Sequence, residues 1–201
     1  MNQPLSQDAL DQIFLEARTF ASNPNPWQER AVPDALLEQV WNLARMGPTA
    51  ANCSPARIVF VRSPEAKARL KPALDAGNVE KTMSAPVTAI LGIDMQFYEK
   101  LPYLFPHANA RSWFAGQSDE QLYPGALRNS SLQGAYLIVA ARALGLDCGP
   151  MGGFDAAQVD AGFFAGTRVR SNFLINLGYG RSDTLHPRSP RLAFADACSI
   201  V

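Results

Sequence analysis

Apolar side chains recur at the spacing of a helix face in five stretches of the chain. In one of them Leu36 and Val40 would share a face, with Pro33 suited to its first turn and Gly47 ending it. The clearest stretch is apolar on nearly all sides beyond Gly134, which is typical of a helix buried in a core or an interface. The pattern predicts helices over residues 6–19, 33–46, 64–76, 124–144 and 155–164.

Three runs rich in β-branched and apolar residues predict strands. The run RIVFVR, residues 57–62, is flanked by Pro55 and Pro64, and a second run covers residues 87–93. The third is SNFLINLGYG, residues 171–180. Helices of unequal length separate these strands, so the order indicates an α+β fold and not the even strand–helix alternation of a doubly wound sheet.

Two further segments are neither simple linkers nor regular elements. Residues 94–123 carry seven aromatic side chains among prolines, which predicts a helical excursion that packs over another part of the molecule. The tail, residues 181–201, is apolar and broken by prolines, so we expect it to pack on its own domain or on a partner subunit. Residues 21–27, ASNPNPW, predict a loop. We interpret residues 1–201 as a single domain.

Composition narrows the class of protein. Of the 201 residues 47% are hydrophobic, which is enough to build a sizeable core and argues against disorder. Lys plus Arg and Asp plus Glu number 18 each, so the basic excess typical of a nucleic-acid binder is missing. A net charge of zero mildly favours self-association.

The chain carries no pattern of a membrane or secreted protein. The N-terminus lacks a basic segment followed by a long apolar run, and the apolar run 134–144 is short and interrupted by Arg142. Cys53, Cys148 and Cys198 are odd in number and far apart, which indicates neither a zinc site nor a disulfide framework. We therefore expect a cytoplasmic protein with no metal, no membrane partner and no nucleic-acid partner.

The segment GPMGG, residues 149–153, superficially resembles a dinucleotide-binding turn. It follows a predicted helix instead of a strand and contains Pro150, which excludes that fingerprint. Composition alone favours an ordinary turn between helices. Because Gly152 and Gly153 lack a Cβ, however, their backbone N–H groups could also approach a planar ring closely.

The segment PTAANCSPAR, residues 48–57, lies between a predicted helix and a predicted strand. Its small residues would let a ligand lie against the backbone, and Asn52 can both donate to and accept from the edge of a pyrimidine-like ring. The alternative is that Asn52 and Thr49 merely cap a turn. The residues alone favour that alternative.

The remaining candidates for chemistry are sparse. Arg18, Arg188 and Arg191 could bind a phosphate through the planar guanidinium fork, provided that the fold brings them together. His107 and His186 lie in no ligand-spaced motif, and no nucleophile or paired acid and base is recognisable. If the protein is an enzyme, no side chain is the catalytic group and a bound cofactor carries the chemistry.

Several segments together resemble the nitroreductase family of FMN-dependent NAD(P)H oxidoreductases. PTAANCSP is similar to the family segment P-S-x-x-N-x-Q-P, with Pro48, Thr49, Asn52 and Pro55 in matching places. GLDCGPMGGFD resembles the loop after the family's long helix, SNFLINLGYG the strand that follows it, and PRLAF the C-terminal segment that holds Arg191. The resemblance covers nearly the whole chain.

The resemblance implies a nitroreductase-type fold with a central, mainly antiparallel sheet flanked by helices, in an intertwined homodimer. It implies FMN as cofactor and NADH or NADPH as co-substrate. Arg18 and Arg191 would neutralise the phosphate, Asn52 would bind the ring edge and the glycines would meet N5. The implied cofactor-binding residues are Arg18, Pro48, Thr49, Asn52, Ser54, Pro150, Met151, Gly152, Gly153, Arg188 and Arg191.

More narrowly, the chain resembles the RutE-like malonic semialdehyde reductase branch, which makes 3-hydroxypropionate in pyrimidine degradation. We expect the aromatic segment to cover the substrate pocket with Phe105, His107, Arg111 and Trp113. Two alternatives stay open: a broad-specificity nitro or quinone reductase, and a flavin-binding protein without catalysis. One departure is Gly152, which stands where many relatives have a glutamate.

Overall fold

A four-stranded antiparallel sheet is the centre of the part of the chain that the computed structural model describes, residues 3–21 and 25–201. The strand order is β1-β2-β4-β3, with β1 at Ala56–Val61, β2 at Val87–Asp94, β3 at Asp147–Met151 and β4 at Val169–Gly178. All three pairings are antiparallel. The predicted α+β class and antiparallel sheet are confirmed.

The two central strands are apolar because both faces of the sheet are covered. In β2 every residue but the last is buried, and β4 is buried from Leu174 to Gly178. The three strands predicted from sequence are present. The fourth, β3, was missed, because its residues DCGPM contain the glycine and proline typical of a turn.

Eight α-helices surround the sheet within the described residues, and short 3-10 turns link several of them. They are α1 (Gln7–Leu10), α2 (Asp34–Ala44), α3 (Pro64–Leu70), α4 (Ala76–Ser84), α5 (Leu101–Leu104), α6 (Asp119–Ala143), α7 (Ala156–Phe163) and α8 (Phe194–Ala197). A π-helical turn, Asp11–Leu15, continues α1.

Two of the helix predictions need correction. The helix predicted over 64–76 ends at Leu70, because Pro72 has no N–H to continue it, and the separate helix α4 was missed. The long helix α6 begins at Asp119, five residues before the predicted start at Pro124. A capping box between Ser118 and Gln121 fixes that start, so Pro124 lies inside the helix.

Helix α6 crosses the sheet and supplies much of the main core. Its residues Leu137, Ala140 and Ala141 pack with α2 and with strands β2, β3 and β4. N-terminal to the apolar part predicted beyond Gly134, α6 also buries polar side chains, including Asn129 and Gln133. None of the described helices is long and apolar enough to cross a membrane.

The aromatic segment and the tail behave differently. Short helical turns carry residues 97–113, and Phe97, Leu101 and Ala110 bury themselves in a cluster with residues of α6. In the tail, by contrast, every residue from 186 to 201 is exposed, including Phe194 and Ile200. The apolar side chains of the tail from residue 186 onward are therefore not buried on their own chain.

Candidate functional site

The fold brings the two ends of the chain together around a cavity of about 570 Å³, which we call the arginine cavity. Arg18, Arg142, Arg188 and Arg191 line it, together with apolar and small residues from both ends of the chain. The sequence predicted a phosphate site only if the fold brings Arg18, Arg188 and Arg191 together. All three line this cavity. Arg142 is a fourth arginine that the sequence did not single out.

Hydrogen bonds tie the terminal segments to each other at this cavity. The Arg18 guanidinium donates to the carbonyl oxygen of His186 at 2.6 Å, and Arg188 donates to the carbonyl oxygens of Leu15 and Ala17 at 2.6 and 3.2 Å. In the part of the chain that the structure describes, the Arg191 side chain bonds only to the carbonyl oxygens of its neighbours Ser189 and Pro190. Since a guanidinium has five N–H donors, each arginine keeps donors for a ligand.

The arginine cavity is cationic and uncompensated. No acidic side chain is among its lining residues, and within the described residues none of the four arginines forms an ion pair. Within the described residues, the Nε of Arg142 is buried and has no hydrogen-bond partner. A buried donor without an acceptor is costly, so this arrangement fits an anionic group such as a phosphate.

The edge strand β3 positions the segment that carries Arg18. The backbone N–H of Phe20 donates to the carbonyl oxygen of Cys148 at 3.1 Å, and Thr19 forms a parallel bridge with Cys148. A Cβ on Gly149 would lie 2.6 Å from the Phe20 carbonyl oxygen. Only a glycine at position 149 therefore lets this backbone approach so closely.

A second cavity, of about 640 Å³, lies beside the segment 48–57, and we call it the turn cavity. Its lining includes four of the residues singled out from sequence, Pro48, Thr49, Asn52 and Ser54. Residues that the sequence did not single out also line it, among them Arg45, Lys100, Tyr103 and Gln133.

The backbone of this segment is strained. Ala51, Asn52 and Ser54 all have a positive φ, at 50°, 50° and 38°, a region that residues other than glycine rarely adopt. The Thr49 hydroxyl accepts from the Ser54 N–H at 3.1 Å, and the Asn52 amide nitrogen donates to the Leu104 carbonyl oxygen at 2.8 Å. Both side chains thus stabilise the turn and border the cavity, and strain of this kind is concentrated at functional sites.

Two buried amides of α6 hold the ends of the strained turn. The Asn129 Oδ1 accepts from the Ala50 N–H at 2.8 Å, and the Gln133 Oε1 accepts from the Ala56 N–H at 2.9 Å. Residues four apart share a helix face, so both amides point to the same side. That spacing of two amides in an otherwise apolar helix was the available sequence signal.

Residues 149–151 of the glycine segment belong to strand β3, and Gly152 and Gly153 follow that strand and not a helix as inferred from sequence. It is still no dinucleotide fingerprint, because β3 is an antiparallel edge strand. The Gly153 carbonyl oxygen accepts from the N–H of Asp75 at 3.2 Å and from the amide nitrogen of Asn78 at 2.7 Å. Gly152 is exposed, and a Cβ there would meet nothing within 4 Å.

Neighbouring residues of this segment face the protein. The Thr82 hydroxyl donates to the Met151 sulfur at 3.4 Å, and Met151 packs on a buried cluster that includes Leu74. Pro150 pairs with Ile175 in the sheet. Residues 150–153 line neither of the two cavities described above. Because the Met151 side chain faces the protein and the glycines have no side chain, one chain offers a ligand only the backbone of this segment.

Three of the four predicted substrate-pocket residues form an aromatic cluster. The ring centroids of Phe105 and His107 are 4.1 Å apart, and those of Phe105 and Trp113 are 6.0 Å apart. This cluster follows directly on Leu104, which lines the turn cavity. The fourth residue, Arg111, is separate, because Glu99 binds its guanidinium through two hydrogen bonds of 2.8 Å, which also lower the pKa of Glu99.

The thiols do not supply a nucleophile. Burial raises the pKa of Cys53 to about 11 and that of Cys148 to about 12, so both thiols stay protonated at neutral pH. Within the described residues no group of three His, Cys, Asp or Glu side chains could hold a metal ion.

The two cavities are separate in one chain and share no lining residue. Along α6, Gln133 borders the turn cavity and Arg142 the arginine cavity. The step of nine residues from Gln133 to Arg142 corresponds to about 13.5 Å of helix, at ~1.5 Å per residue.

This fold agrees with the comparisons to known proteins. Residues 27–179 match the model of the nitroreductase family, and the chain belongs to that family. A protein of Burkholderia lata, provisionally named NADH dehydrogenase/NAD(P)H nitroreductase, is 65% identical over 196 residues, 98% of each chain.

Two solved structures share the fold. A nitroreductase-like protein of Bacillus subtilis superimposes with a TM-score of 0.85 at 20% identity, over 98% of this chain and 100% of its own. One from Exiguobacterium sibiricum, solved in complex with FMN, gives 0.84 at 21% identity over 100% of both chains.

Proposed function

We propose that this protein is an FMN-dependent oxidoreductase that uses NADH or NADPH. The observation that carries this proposal is the arginine cavity, where Arg18, Arg188 and Arg191 converge from opposite ends of the chain without an acidic partner. Membership of the nitroreductase family, the naming of a 65% identical relative and the FMN complex of a protein with the same fold support it.

The residues present fit FMN at both of its ends. The arginine cavity offers charge-assisted donors for the terminal phosphate on Arg18, Arg188 and Arg191. The turn cavity offers neutral donors and acceptors on Thr49, Asn52 and Ser54 beside a backbone without bulky side chains, as a flat polar ring requires. The exposed backbone of Gly152 lets a ring edge approach.

A complete site, in this proposal, needs two copies of the chain. The arginine cavity and the turn cavity do not meet within one chain, so one copy would bind the phosphate and the other the ring. The exposed apolar tail, with Phe194 and Ile200, would then pack on the partner. The zero net charge permits this association. We therefore infer an intertwined homodimer.

The protein's share of the reaction is binding and orientation. When bound, FMN supplies a ring that takes a hydride from NAD(P)H and passes it to a second substrate. The arginines fix the phosphate, the turn fixes the ring edge, and backbone donors of Gly152 and Gly153 stabilise charge at the ring. No side chain is required as a nucleophile.

For the second substrate we propose a small carbonyl compound such as malonic semialdehyde, reduced to 3-hydroxypropionate. This rests on the sequence segments described above and on the aromatic cluster of Phe105, His107 and Trp113 next to the turn cavity. Arg111 would bind the substrate carboxylate if it exchanged Glu99 for it. We place this activity in the cytoplasm, in pyrimidine degradation, where the buried thiols of Cys53 and Cys148 would stay reduced.

A second candidate is reduction of nitro compounds or quinones with broad specificity. The name given to the 65% identical relative favours it. A third, of another class, is a flavin-binding protein that does not turn over. All three candidate functions use the FMN site, and they differ in whether a second substrate is reduced there and in which one.

One series of measurements separates these functions. The purified protein should be yellow, and NADH or NADPH should bleach the flavin absorbance in the absence of oxygen. Bleaching without turnover of any acceptor would favour the third function, and comparing kcat/KM for malonic semialdehyde and a nitroaromatic separates the first two. Colourless protein that takes up no added FMN would contradict the proposal.

A further inference from the structure

Gln133 is a buried polar side chain whose surroundings are only partly satisfied. It lies in the middle of α6 with 2% of its surface exposed, and it borders the turn cavity. A polar side chain this deeply buried normally finds partners for both ends of its amide.

The orientation of the Gln133 amide is fixed by its neighbour. Its Oε1 accepts from the Ala56 N–H at 2.9 Å, and the reverse orientation would set two donors against each other. Its Nε2 has no hydrogen-bond partner in the described chain. Among the described residues, Arg142 Nε is the one buried side-chain nitrogen or oxygen that has neither a hydrogen-bond partner nor contact with solvent. Gln133 Nε2 therefore still reaches solvent, on the side of the cavity.

Some of the other polar groups around the turn cavity already have partners within the protein. Arg57 is paired with Asp94 at 2.5 Å, and the Asn52 amide nitrogen donates to the Leu104 carbonyl oxygen. Gln133 Nε2 is thus a neutral donor, held in place by a buried helix, that faces the space where a ring would lie. Two amide protons without acceptors in the protein match a carbonyl acceptor on a ligand.

We propose that Gln133 is a binding residue of the flavin site, which donates from Nε2 to a carbonyl oxygen of the flavin ring. The inference rests on the proposed function. Gln133 thereby links two tasks, because its Oε1 holds the end of the strained turn while its Nε2 holds the ring. The same helix that shapes the turn would set the position of the ring against it.

The sharpest test is Gln133→Glu, which keeps an oxygen for the Ala56 N–H and replaces the donor by an acceptor. The matched variant is Asn129→Asp, which keeps the oxygen for the Ala50 N–H and adds the same charge one helical turn away. Asn129 does not border the cavity, and its own nitrogen is already bonded to the Gly125 carbonyl oxygen at 2.9 Å.

FMN is titrated into cofactor-free protein at pH 8, and quenching of its fluorescence gives Kd. We expect Gln133→Glu to raise Kd at least ~10-fold, because one hydrogen bond is lost and an unfavourable charge is added. Asn129→Asp should change Kd less than ~3-fold. The Gln133→Glu defect should shrink at pH 5, where a protonated carboxyl can donate again.

Equal losses in both variants, or wild-type affinity in Gln133→Glu, would overturn the inference. A second measurement covers a variant that fails to fold: in wild-type protein, FMN should shift the NMR signals of the Gln133 side-chain amide, and unshifted signals would contradict its role. If wild-type protein binds no FMN at all, the proposed function itself is wrong.

Discussion

Arg18 donates a hydrogen bond of 2.6 Å to the carbonyl oxygen of His186, 168 residues further along the chain. Arg188 completes the link in the other direction, to the carbonyl oxygen of Leu15. These bonds join two segments that contribute little to the core, so the arginine cavity depends on the two ends of the chain holding each other. Substituting either arginine would disturb both the ligand site and this link.

Arg191 offers the cleaner test of the phosphate site, because within the described residues its side chain bonds only to its neighbours Ser189 and Pro190. We expect Arg191→Ala to weaken FMN binding by roughly 10- to 100-fold, as for the loss of a charge-assisted hydrogen bond worth about 1.5–3 kcal/mol. Riboflavin, which lacks the phosphate, should bind the variant and the wild type alike. Fluorescence titration with both flavins measures the difference.

The control for Arg191 is Arg181→Ala, which removes an exposed arginine paired with Asp183 outside the cavity. It should leave both affinities unchanged, since exposed ion pairs contribute little. Equal weakening of FMN and riboflavin by Arg191→Ala would show that the arginine supports the fold and not the phosphate.

A substitution at Gly152 tests the glycine segment. A Cβ at this position has nothing within 4 Å, so Gly152→Ala should leave the Tm of cofactor-free protein within a few degrees of wild type. If a ring lies against the backbone there, the same methyl group should weaken FMN binding severalfold. Unchanged affinity would mean that the ring does not approach residue 152.

The sequence predicted the two central strands and one edge strand of the sheet, and missed the other edge strand. Strands β1, β2 and β4 are rich in β-branched and apolar residues and are bounded by proline or glycine, and burial of the two central strands strengthens that pattern. Strand β3 is short, lies at an edge and contains Pro150, which an edge strand tolerates but which resembles a turn in the sequence. Helix α4 was hidden by Gly77 and Asn78, both poor helix formers.

The candidate site shows a similar division. Residue type alone marked Arg18, Arg188 and Arg191, but only the fold shows that they share a cavity. Gln133 was missed, because its spacing from Asn129 predicts a shared helix face but not that this face contacts a distant turn. The separation of the two cavities is a property of tertiary structure that no local pattern carries.

Gly149 tests how the strand edge positions Arg18. In Gly149→Ala the new methyl group would lie 2.6 Å from the Phe20 carbonyl oxygen, a backbone atom that cannot move without the segment 18–20. We expect a loss of about 1–3 kcal/mol in the free energy of unfolding, and weaker binding of FMN than of riboflavin as Arg18 is displaced. Gly152→Ala, measured without cofactor, is the matched control for stability. Wild-type stability of Gly149→Ala would show that the segment adjusts freely.

Arg111 tests the proposed cover of the substrate pocket. Its Nε and Nη2 are bonded to Glu99, so it would bind an anionic substrate through this edge of the guanidinium in exchange for Glu99. We expect Arg111→Ala to raise KM for malonic semialdehyde roughly 10-fold, while KM for a neutral nitroaromatic stays constant. Glu99→Gln should lower KM for the anion. If steady-state kinetics gives an unchanged KM for the anion in Arg111→Ala, Arg111 does not bind the substrate.

Lys67 predicts a pH dependence of stability that is independent of the flavin. It is buried without an ion pair in the described chain, and its Nζ donates to the Thr82 carbonyl oxygen at 2.6 Å and to the Thr88 hydroxyl at 2.7 Å. Burial lowers the pKa of Lys67 from 10.5 to about 7. Between these values the unfolded chain binds more protons than the folded one, so the free energy of unfolding rises with pH through this window.

The lysine therefore costs most stability below about pH 7 and nothing above about pH 10.5. Its contribution cannot exceed about 1.4 kcal/mol per pH unit, the value for one proton. Lys67→Met should abolish this slope, and urea unfolding of both proteins from pH 7 to 9.5 gives the difference directly. The raised pKa values of Cys53 and Cys148 act in the opposite direction above pH 9, but equally in both proteins, so they cancel. Parallel curves would show that Lys67 keeps its charge when buried.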